Sequence, residues 1–225
     1  MQAQWLVPTL VFAALQWYAR WRGHRKLHLV TKPAVPVFLI VWLWQSTNFQ
    51  GFTFWIGLAL FFSLLGDIFL MCPPGFFMAG LLAFLLGQIF YIAGFRSTAL
   101  SDDPVYWVSG LLILLLMSYV LHYYMAALKK RLVSKRIRAG VVIYIIVIHI
   151  MLFMALSTFW RPEWVLASAI LVSIGAVLFC ISDSMLAYDR FITKIPNAHV
   201  WIMMTYHMAQ ILIVAGVIRQ YLWVS

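Results

Sequence analysis

Two aspartates lie inside long apolar stretches of this chain, where an ionisable side chain is costly to place. Asp67 belongs to the run 61–71 and Asp183 to the run 180–187. An ionisable group within a membrane span costs about 2.5–3.5 kcal/mol on insertion scales, so it usually faces protein or water. A single aspartate could simply hydrogen-bond a Ser or Tyr nearby. Two at matched depth on different helices indicate a shared polar cavity.

A pair of carboxyl groups in one apolar cavity has a characteristic chemistry. Like charges held close together cannot both ionise easily, so one carboxyl stays protonated near neutral pH and the other is ionised. Such a pair can protonate a substrate and stabilise the resulting cation or activate a water, as in acetal-like cleavage. It also suits peptide hydrolysis by an aspartyl dyad, and membrane carriers use carboxylates as proton relays. The two aspartates alone leave these three functions open.

A polar stripe on the last apolar stretch is the second feature that could belong to a site. His199, Met203, Tyr206 and Gln210 are spaced i, i+4, i+7 and i+11, which places them on one face of a helix. A polar stripe inside a membrane bundle faces protein or water rather than lipid. We therefore expect His199 and Tyr206 to line the cavity, while Gln210 could line it or bind helices together.

Membrane-spanning helices are the elements that must position these side chains. Hydrophobic residues make up 65% of the chain and charged residues only 10%, whereas roughly a quarter of a soluble domain is charged. Stretches long enough to cross a core of about 30 Å occur at about 3–19, 33–48, 51–71, 76–95, 105–127, 139–158, 164–187 and 198–222. This pattern predicts an all-α, polytopic membrane helix bundle of about eight transmembrane helices. Residues 1–225 are expected to form one integral membrane domain.

Positive charge sets the expected orientation of this bundle. Thirteen of the sixteen Lys and Arg residues fall at 20–32, 72–75, 129–138 and 188–197. Since the chain crosses the membrane once with each helix, these four segments lie on the same side of the membrane. Cytoplasmic loops carry such an excess. Both termini are therefore expected outside the cytoplasm. Each of the two aspartates lies about one turn from the end of its span, so both are expected toward the cytoplasmic leaflet.

The same charge distribution bears on partners and cofactors. The basic clusters lie between apolar runs, so the net charge of +10 is explained by membrane topology and no nucleic-acid partner is expected. The two cysteines and the scattered histidines form no ligand pattern. Neither a metal nor another cofactor is therefore expected.

Several motifs taken together resemble the YhhN-type lysoplasmalogenase family. They are Gly66-Asp67-Ile68-Phe69-Leu70-Met71, the stretch from Phe84 to Tyr91, the run from Ser182 to Phe191, and Pro196-Asn197-Ala198-His199 continuing to Gln210. Their order and spacing agree with the family from about residue 33 to residue 217. A GDxxLM motif alone would carry little weight. Combined with SDxxLAxxxF and the tyrosine-containing last helix, it is fairly specific.

The resemblance implies an eight-helix membrane hydrolase that cleaves the vinyl-ether bond of lysoplasmalogens, with water as co-substrate and no cofactor. Its products would be a long-chain aldehyde and glycerophosphoethanolamine or glycerophosphocholine. The family's two aspartates carry over to Asp67 and Asp183 as the catalytic pair. A lysophospholipid would enter from the bilayer, and its phosphate would meet Arg190, Lys194 or His199 at the cytoplasmic rim.

Two further positions are assigned to the substrate site. Asp189 follows Asp183 within the same motif, in the predicted loop, where a capping role and a site role are both open. Gln88 stands before the Ile-Phe-Tyr of the fourth span, where many members of the family carry a histidine. No proton transfer is therefore assigned to Gln88.

The two competing functions are disfavoured by sequence patterns. The residues around Asp67 and Asp183 lack the paired YD and GxGD motifs of intramembrane aspartyl proteases. No internal repeat of the kind found in inverted-topology transporters is visible. Lysoplasmalogen hydrolysis is the favoured function, with a proton-coupled membrane transporter and an intramembrane aspartyl protease as the alternatives.

Overall fold

The computed structural model describes residues 3–96, 103–131 and 133–224, apart from the side chains of Ala3 and Pro74. The regular structure within these ranges is helical throughout. The helices are α1 (Leu6–Arg22), α2 (Arg25–Thr47), α3 (Thr53–Met71), α4 (Phe77–Gly94), α5 (Pro104–Lys130), α6 (Lys135–Leu156), α7 (Leu166–Phe191) and α8 (Ala198–Val224). Short 3-10 turns precede α1 and α4 and follow α6, at Ala3–Trp5, Pro74–Phe76 and Ser157–Trp160. The predicted all-α bundle is confirmed.

Seven of the helices in the described residues, α2 to α8, are long and apolar enough to cross a membrane. The shortest helix is α1, which has 17 residues. Large hydrophobic side chains remain exposed on the outer faces, most densely on α5, where Leu111, Leu112 and Leu115 are each more than half exposed. Such a surface suits contact with lipid hydrocarbon. The chain is an integral multi-pass membrane protein.

Local sequence explains where the helices begin and end. Gly23 adopts a left-handed conformation with φ of 71° and ends α1, leaving only two residues before α2 begins. The side chain of Asp103 accepts a hydrogen bond from the backbone N–H of Val105 at 2.8 Å, and Pro104 occupies the first turn of α5. Both are favoured capping arrangements. They account for the end of α1 and the start of α5.

Several helices extend beyond the bounds expected from the sequence, and two of these differences affect the site. The second helix begins at Arg25 rather than at residue 33, so Lys32 lies inside a helix and not in a loop. The seventh helix continues to Phe191 rather than residue 187, so Asp189 is helical and Asp183 lies about two turns from the helix end. Hydropathy trims helix ends at charged residues, whereas backbone hydrogen bonds continue through them.

Close approach of helix pairs sets the positions of the two aspartates. An added Cβ at Gly175 of α7 would lie 2.8 Å from the carbonyl oxygen of Ala209 in α8. An added Cβ at Gly87 of α4 would lie 3.2 Å from the carbonyl oxygen of Ala59 in α3. Small residues allow such contacts between membrane helices. The pairs α3–α4 and α7–α8 therefore form the tightly packed centre in which Asp67 and Asp183 lie.

Candidate active site

Asp67 forms a buried ion pair with Lys32. Asp67 is 1% exposed on α3, and Lys32 is 5% exposed on α2. The Lys32 Nζ atom lies 3.0 Å from Oδ1 of Asp67 and also donates to the backbone oxygen of Asp67 at 3.2 Å. Buried charges in proteins are normally paired and hydrogen-bonded because isolated ones are very costly. The ammonium group of Lys32 thus compensates a negative charge on Asp67.

The second carboxylate oxygen of Asp67 is held by the last helix. Tyr206 of α8 donates its hydroxyl to Oδ2 of Asp67 at 2.9 Å, and Gln210, one turn further on, donates to the Tyr206 oxygen at 3.1 Å. All three side chains are buried. This chain of donors explains the polar spacing in α8. Each oxygen of the Asp67 carboxylate therefore faces a donor from a different helix.

Asp183 has different partners. It is half-buried on α7 and accepts a hydrogen bond at Oδ2 from the hydroxyl of Tyr144 in α6. Gln88 of α4 is buried beside the Tyr144 hydroxyl. Neither polar atom of the Gln88 amide is hydrogen-bonded to another described residue. Asp183 thus has one neutral donor, whereas Asp67 has a cation and a neutral donor.

Asp183 lies where two cavities of opposite character meet. One cavity, of about 440 Å³, contains both aspartates and several basic side chains. The other, of about 540 Å³, lies between α4, α5, α6 and α7 and is almost entirely hydrocarbon. We call them the polar cavity and the apolar cavity. The residues that line both of them are Leu70, Phe84, Asp183 and Leu186.

The remaining predicted site residues divide between these cavities. His199 lines the polar cavity, with Nε2 3.1 Å from the backbone oxygen of Arg20. Asp189 and Lys194 line it as well and form an ion pair of 2.8 Å near its rim. Arg190 lies instead on the apolar cavity, where its guanidinium packs 3.8 Å from the centre of the Phe77 ring. Of the three basic residues proposed for one phosphate, Lys194 and His199 therefore share the polar cavity, and Arg190 lies apart from them.

Sequence reasoning missed four residues around the aspartates. Lys32 was counted among loop charges, and Tyr144 lies within an apolar run without any polar neighbour. Arg20 and His28, which line the polar cavity, were also assigned to a cytoplasmic loop. One available signal is that Leu27, Leu29 and Val30 separate Lys32 from the basic cluster, which points to the start of a span. Nothing in the sequence singles out Tyr144.

The described side chains around the aspartates are hydrogen-bond donors rather than metal ligands. In the three described ranges, no group of three His, Cys, Asp or Glu side chains is arranged as metal ligands would be. The polar side chains that contact Asp67 and Asp183 are Lys32, Tyr206 and Tyr144, and Gln210 supports the hydroxyl of Tyr206. These groups donate hydrogen bonds to carboxylates. The arrangement is suited to proton transfer and stabilisation of charge.

Comparisons with known proteins agree with the motifs of the sequence. Residues 27–217 match the YhhN family. The chain is 29% identical to the mouse lysoplasmalogenase TMEM86B over 80% of its own length and 71% of the mouse protein. It is 27% identical to human lysoplasmalogenase TMEM86B, covering 96% of this chain and 87% of the human protein.

A second set of relatives carries a different name. The chain is 27% identical to bovine lysoplasmalogenase TMEM86A, covering 82% of this chain and 76% of the bovine protein. No solved structure is significantly similar to the chain. The resemblance inferred from the motifs is nevertheless confirmed by a match that extends over most of the sequence. The chain belongs to the YhhN family.

Proposed function

We propose that this protein is a lysoplasmalogenase that hydrolyses the vinyl-ether bond of lysoplasmalogens. Its products would be a fatty aldehyde and glycerophosphoethanolamine or glycerophosphocholine. The observation that carries the proposal is the position of Asp183 at the junction of a polar and an apolar cavity, with Asp67 in the polar one. The relatives named lysoplasmalogenase support the same reaction.

The two cavities match the two halves of such a substrate. The apolar cavity would hold the alkenyl chain among side chains such as Leu81, Ile148 and Leu152. The polar cavity would hold the glycerol and head group. The vinyl ether is the bond that joins these halves, so a bound substrate would place it at the junction, beside Asp183.

The order of atoms in the substrate suggests which aspartate is the acid. Hydrolysis of a vinyl ether begins when a proton is added to the β-carbon, which is the carbon of the double bond nearer to the hydrocarbon tail. Asp183 borders the apolar cavity and Asp67 does not. We therefore assign the proton donor to Asp183, with Tyr144 orienting its carboxyl group.

Asp67 would act on the other side of the reacting bond. Protonation of the β-carbon leaves an oxocarbenium ion shared between the α-carbon and the ether oxygen. The Asp67 carboxylate, paired with Lys32 and Tyr206, would stabilise this cation and take a proton from the water that adds to the α-carbon. The resulting hemiacetal loses the glycerol alcohol, which takes up a proton, and leaves the aldehyde.

A direct assay tests the proposed reaction. Purified protein incubated with 1-alkenyl-glycerophosphoethanolamine should release free fatty aldehyde. The matched 1-alkyl lipid should not be cleaved, because a saturated ether has no double bond to protonate. In deuterated water, the aldehyde should carry one deuterium on the carbon next to the carbonyl. Absence of aldehyde from folded protein in a bilayer or detergent would contradict the proposal.

The orientation remains a proposal that rests on charge. The connections at residues 23–24, 72–76 and 192–197, together with residues 131, 133 and 134, lie at the end of the bundle where the polar cavity is rimmed by basic residues. Thirteen of sixteen Lys and Arg residues belong to this end or to its flanking helix turns. We propose that it faces the cytoplasm, so that both termini are extracytoplasmic and the site is reached from the cytoplasmic leaflet.

Cysteine labelling tests this orientation. In a variant with Cys72 and Cys180 replaced by Ala, single cysteines are introduced at Ser134 or at Ser225, which lies outside the described residues. A membrane-impermeant maleimide should label the cysteine at 225 in intact cells and the one at 134 only after permeabilisation. Labelling of position 134 from outside would reverse the orientation. Permeabilised cells provide the control, since both positions should react there.

A further inference from the structure

Arg20 is a basic residue of the polar cavity to which no role has been assigned. It lies in the last turn of α1, outside the segment 27–217 that matches the family. Its Nε atom is buried without a hydrogen-bond partner, and its guanidinium forms no ion pair with any described carboxylate. Arg20 as a whole is half-buried, but a buried Nε–H donor without an acceptor is costly. A built site for an anion would explain it.

The other charged groups of this cavity are already engaged. Lys32 is paired with Asp67 at 3.0 Å, and Lys194 is paired with Asp189 at 2.8 Å. Asp183 accepts the hydroxyl of Tyr144. Three described residues with an arginine or lysine side chain line the polar cavity, and Arg20 is the one of them that forms no ion pair.

Two histidines line the polar cavity close to Arg20, and each is hydrogen-bonded to a neighbouring residue. His199 of α8 contacts the backbone oxygen of Arg20 through Nε2 at 3.1 Å. His28 of α2 is fixed by Gln16 of α1, whose Nε2 lies 2.7 Å from Nδ1 of His28. Both histidines line the polar cavity. They add hydrogen-bonding groups to the cavity near Arg20 without adding an acidic one.

We propose that Arg20, flanked by His28 and His199, binds the phosphodiester of the substrate and makes the enzyme selective for phosphate-containing lipids. A planar guanidinium can donate two parallel hydrogen bonds to a phosphate group, which adds geometric specificity to charge attraction. The inference rests on the proposed function. It replaces Arg190, which lies on the apolar cavity, and Lys194, which is paired with Asp189.

The geometry of the substrate agrees with this assignment. The phosphate is separated from the vinyl ether by the glycerol backbone, so its ligand must lie in the polar cavity away from the apolar one. Arg20 lines the polar cavity and does not line the apolar one. With the ether beside Asp183, the head group would extend toward the connections at 23–24 and 192–197.

A pair of substrates that differ only in the phosphate tests the proposal. Arg20→Gln should raise KM for 1-alkenyl-glycerophosphoethanolamine about 10- to 100-fold, since hydrogen bonds to charged groups contribute about 1.5–3 kcal/mol. KM for 1-alkenylglycerol should change less than about twofold, because this lipid has no phosphate with which Arg20 could form a hydrogen bond. The matched control is Arg22→Gln, which removes the same charge from an exposed side chain that does not line the cavity.

Binding of uncleavable analogues keeps this proposal separate from the proposed reaction. Arg20→Gln should weaken binding of 1-alkyl-glycerophosphoethanolamine to the full-length protein and leave binding of 1-alkylglycerol unchanged. Arg20→Lys should recover part of the lost affinity, because it restores the charge but not the paired donors. Equal losses for both ligands, or an equal effect of Arg22→Gln, would overturn the role of Arg20. Failure of wild-type protein to release aldehyde would instead overturn the proposed function.

Discussion

The single variants Asp67→Asn and Asp183→Asn should each lose vinyl-ether cleavage, with kcat lower by about 10²–10⁴-fold. Asparagine removes the ionisable group with little change in volume and can still accept the hydrogen bond from Tyr206 or Tyr144. Asp183→Asn would lose the proton donor. Asp67→Asn would lose the carboxylate that stabilises the oxocarbenium ion and activates water. The measurement is aldehyde release at saturating substrate, with thermal unfolding recorded alongside.

The double variant and a matched control sharpen this test. Groups that act as one unit are strongly non-additive, so Asp67→Asn/Asp183→Asn should be hardly worse than either single variant. Asp103→Asn makes the same chemical change outside both cavities, at the start of α5, and preserves a capping side chain. It should keep normal turnover. Near-normal turnover in Asp67→Asn or Asp183→Asn would rule out the acid/base pair.

Replacing Lys32 by Met should cause a large loss of both stability and activity. Removal of one partner of a buried ion pair leaves an uncompensated charge, which typically costs about 3–5 kcal/mol. Asp67 would then avoid the cost by taking up a proton, and a neutral carboxyl group cannot stabilise the oxocarbenium ion. We expect a lower unfolding temperature together with a kcat reduced to nearly that of Asp67→Asn.

A combined substitution separates the structural from the chemical role of this pair. Lys32→Met/Asp67→Asn removes both charges, so its thermal stability should recover toward that of the wild type while activity stays absent. Tyr206→Phe provides a milder comparison, because it removes only the neutral donor to Asp67. Its kcat should fall about tenfold if the lost hydrogen bond contributes about 1.4 kcal/mol to the transition state. Full turnover in Lys32→Met would exclude the ion pair from the mechanism.

Hydropathy and charge were sufficient to predict the class of fold. Membrane helices must be long and apolar because no backbone group can remain unpaired in hydrocarbon, so they can be recognised in the sequence, where about eight were predicted and seven of the described helices are long and apolar enough to span. The same constraint singled out Asp67 and Asp183, because a carboxyl group within a span requires a polar environment. Periodicity in α8 also predicted that Tyr206 and Gln210 share a face, and these two side chains are hydrogen-bonded to each other.

Partners that lie on different helices could not be predicted in this way. Lys32 and Asp67 are separated by 35 residues, Tyr144 and Asp183 by 39, and Asp67 and Tyr206 by 139. No local periodicity relates positions so far apart, because their contact depends on how helices rotate and pack against one another. Lys32 was also hidden by its sequence neighbourhood, since a lysine next to a basic cluster is usually part of a loop.

The division of the site into two cavities was likewise decided by tertiary structure. The motif from Ser182 to Phe191 contains Asp183, Asp189 and Arg190. Sequence alone placed Asp189 in the loop after the helix and Arg190 at the cytoplasmic rim, and assigned both to the substrate site. In the folded α7, consecutive residues point about 100° apart around the helix, so Asp189 borders the polar cavity and Arg190 the apolar one. The sequence determined which side chains are too costly to leave in lipid, and the packing of helices determined which cavity each of them faces.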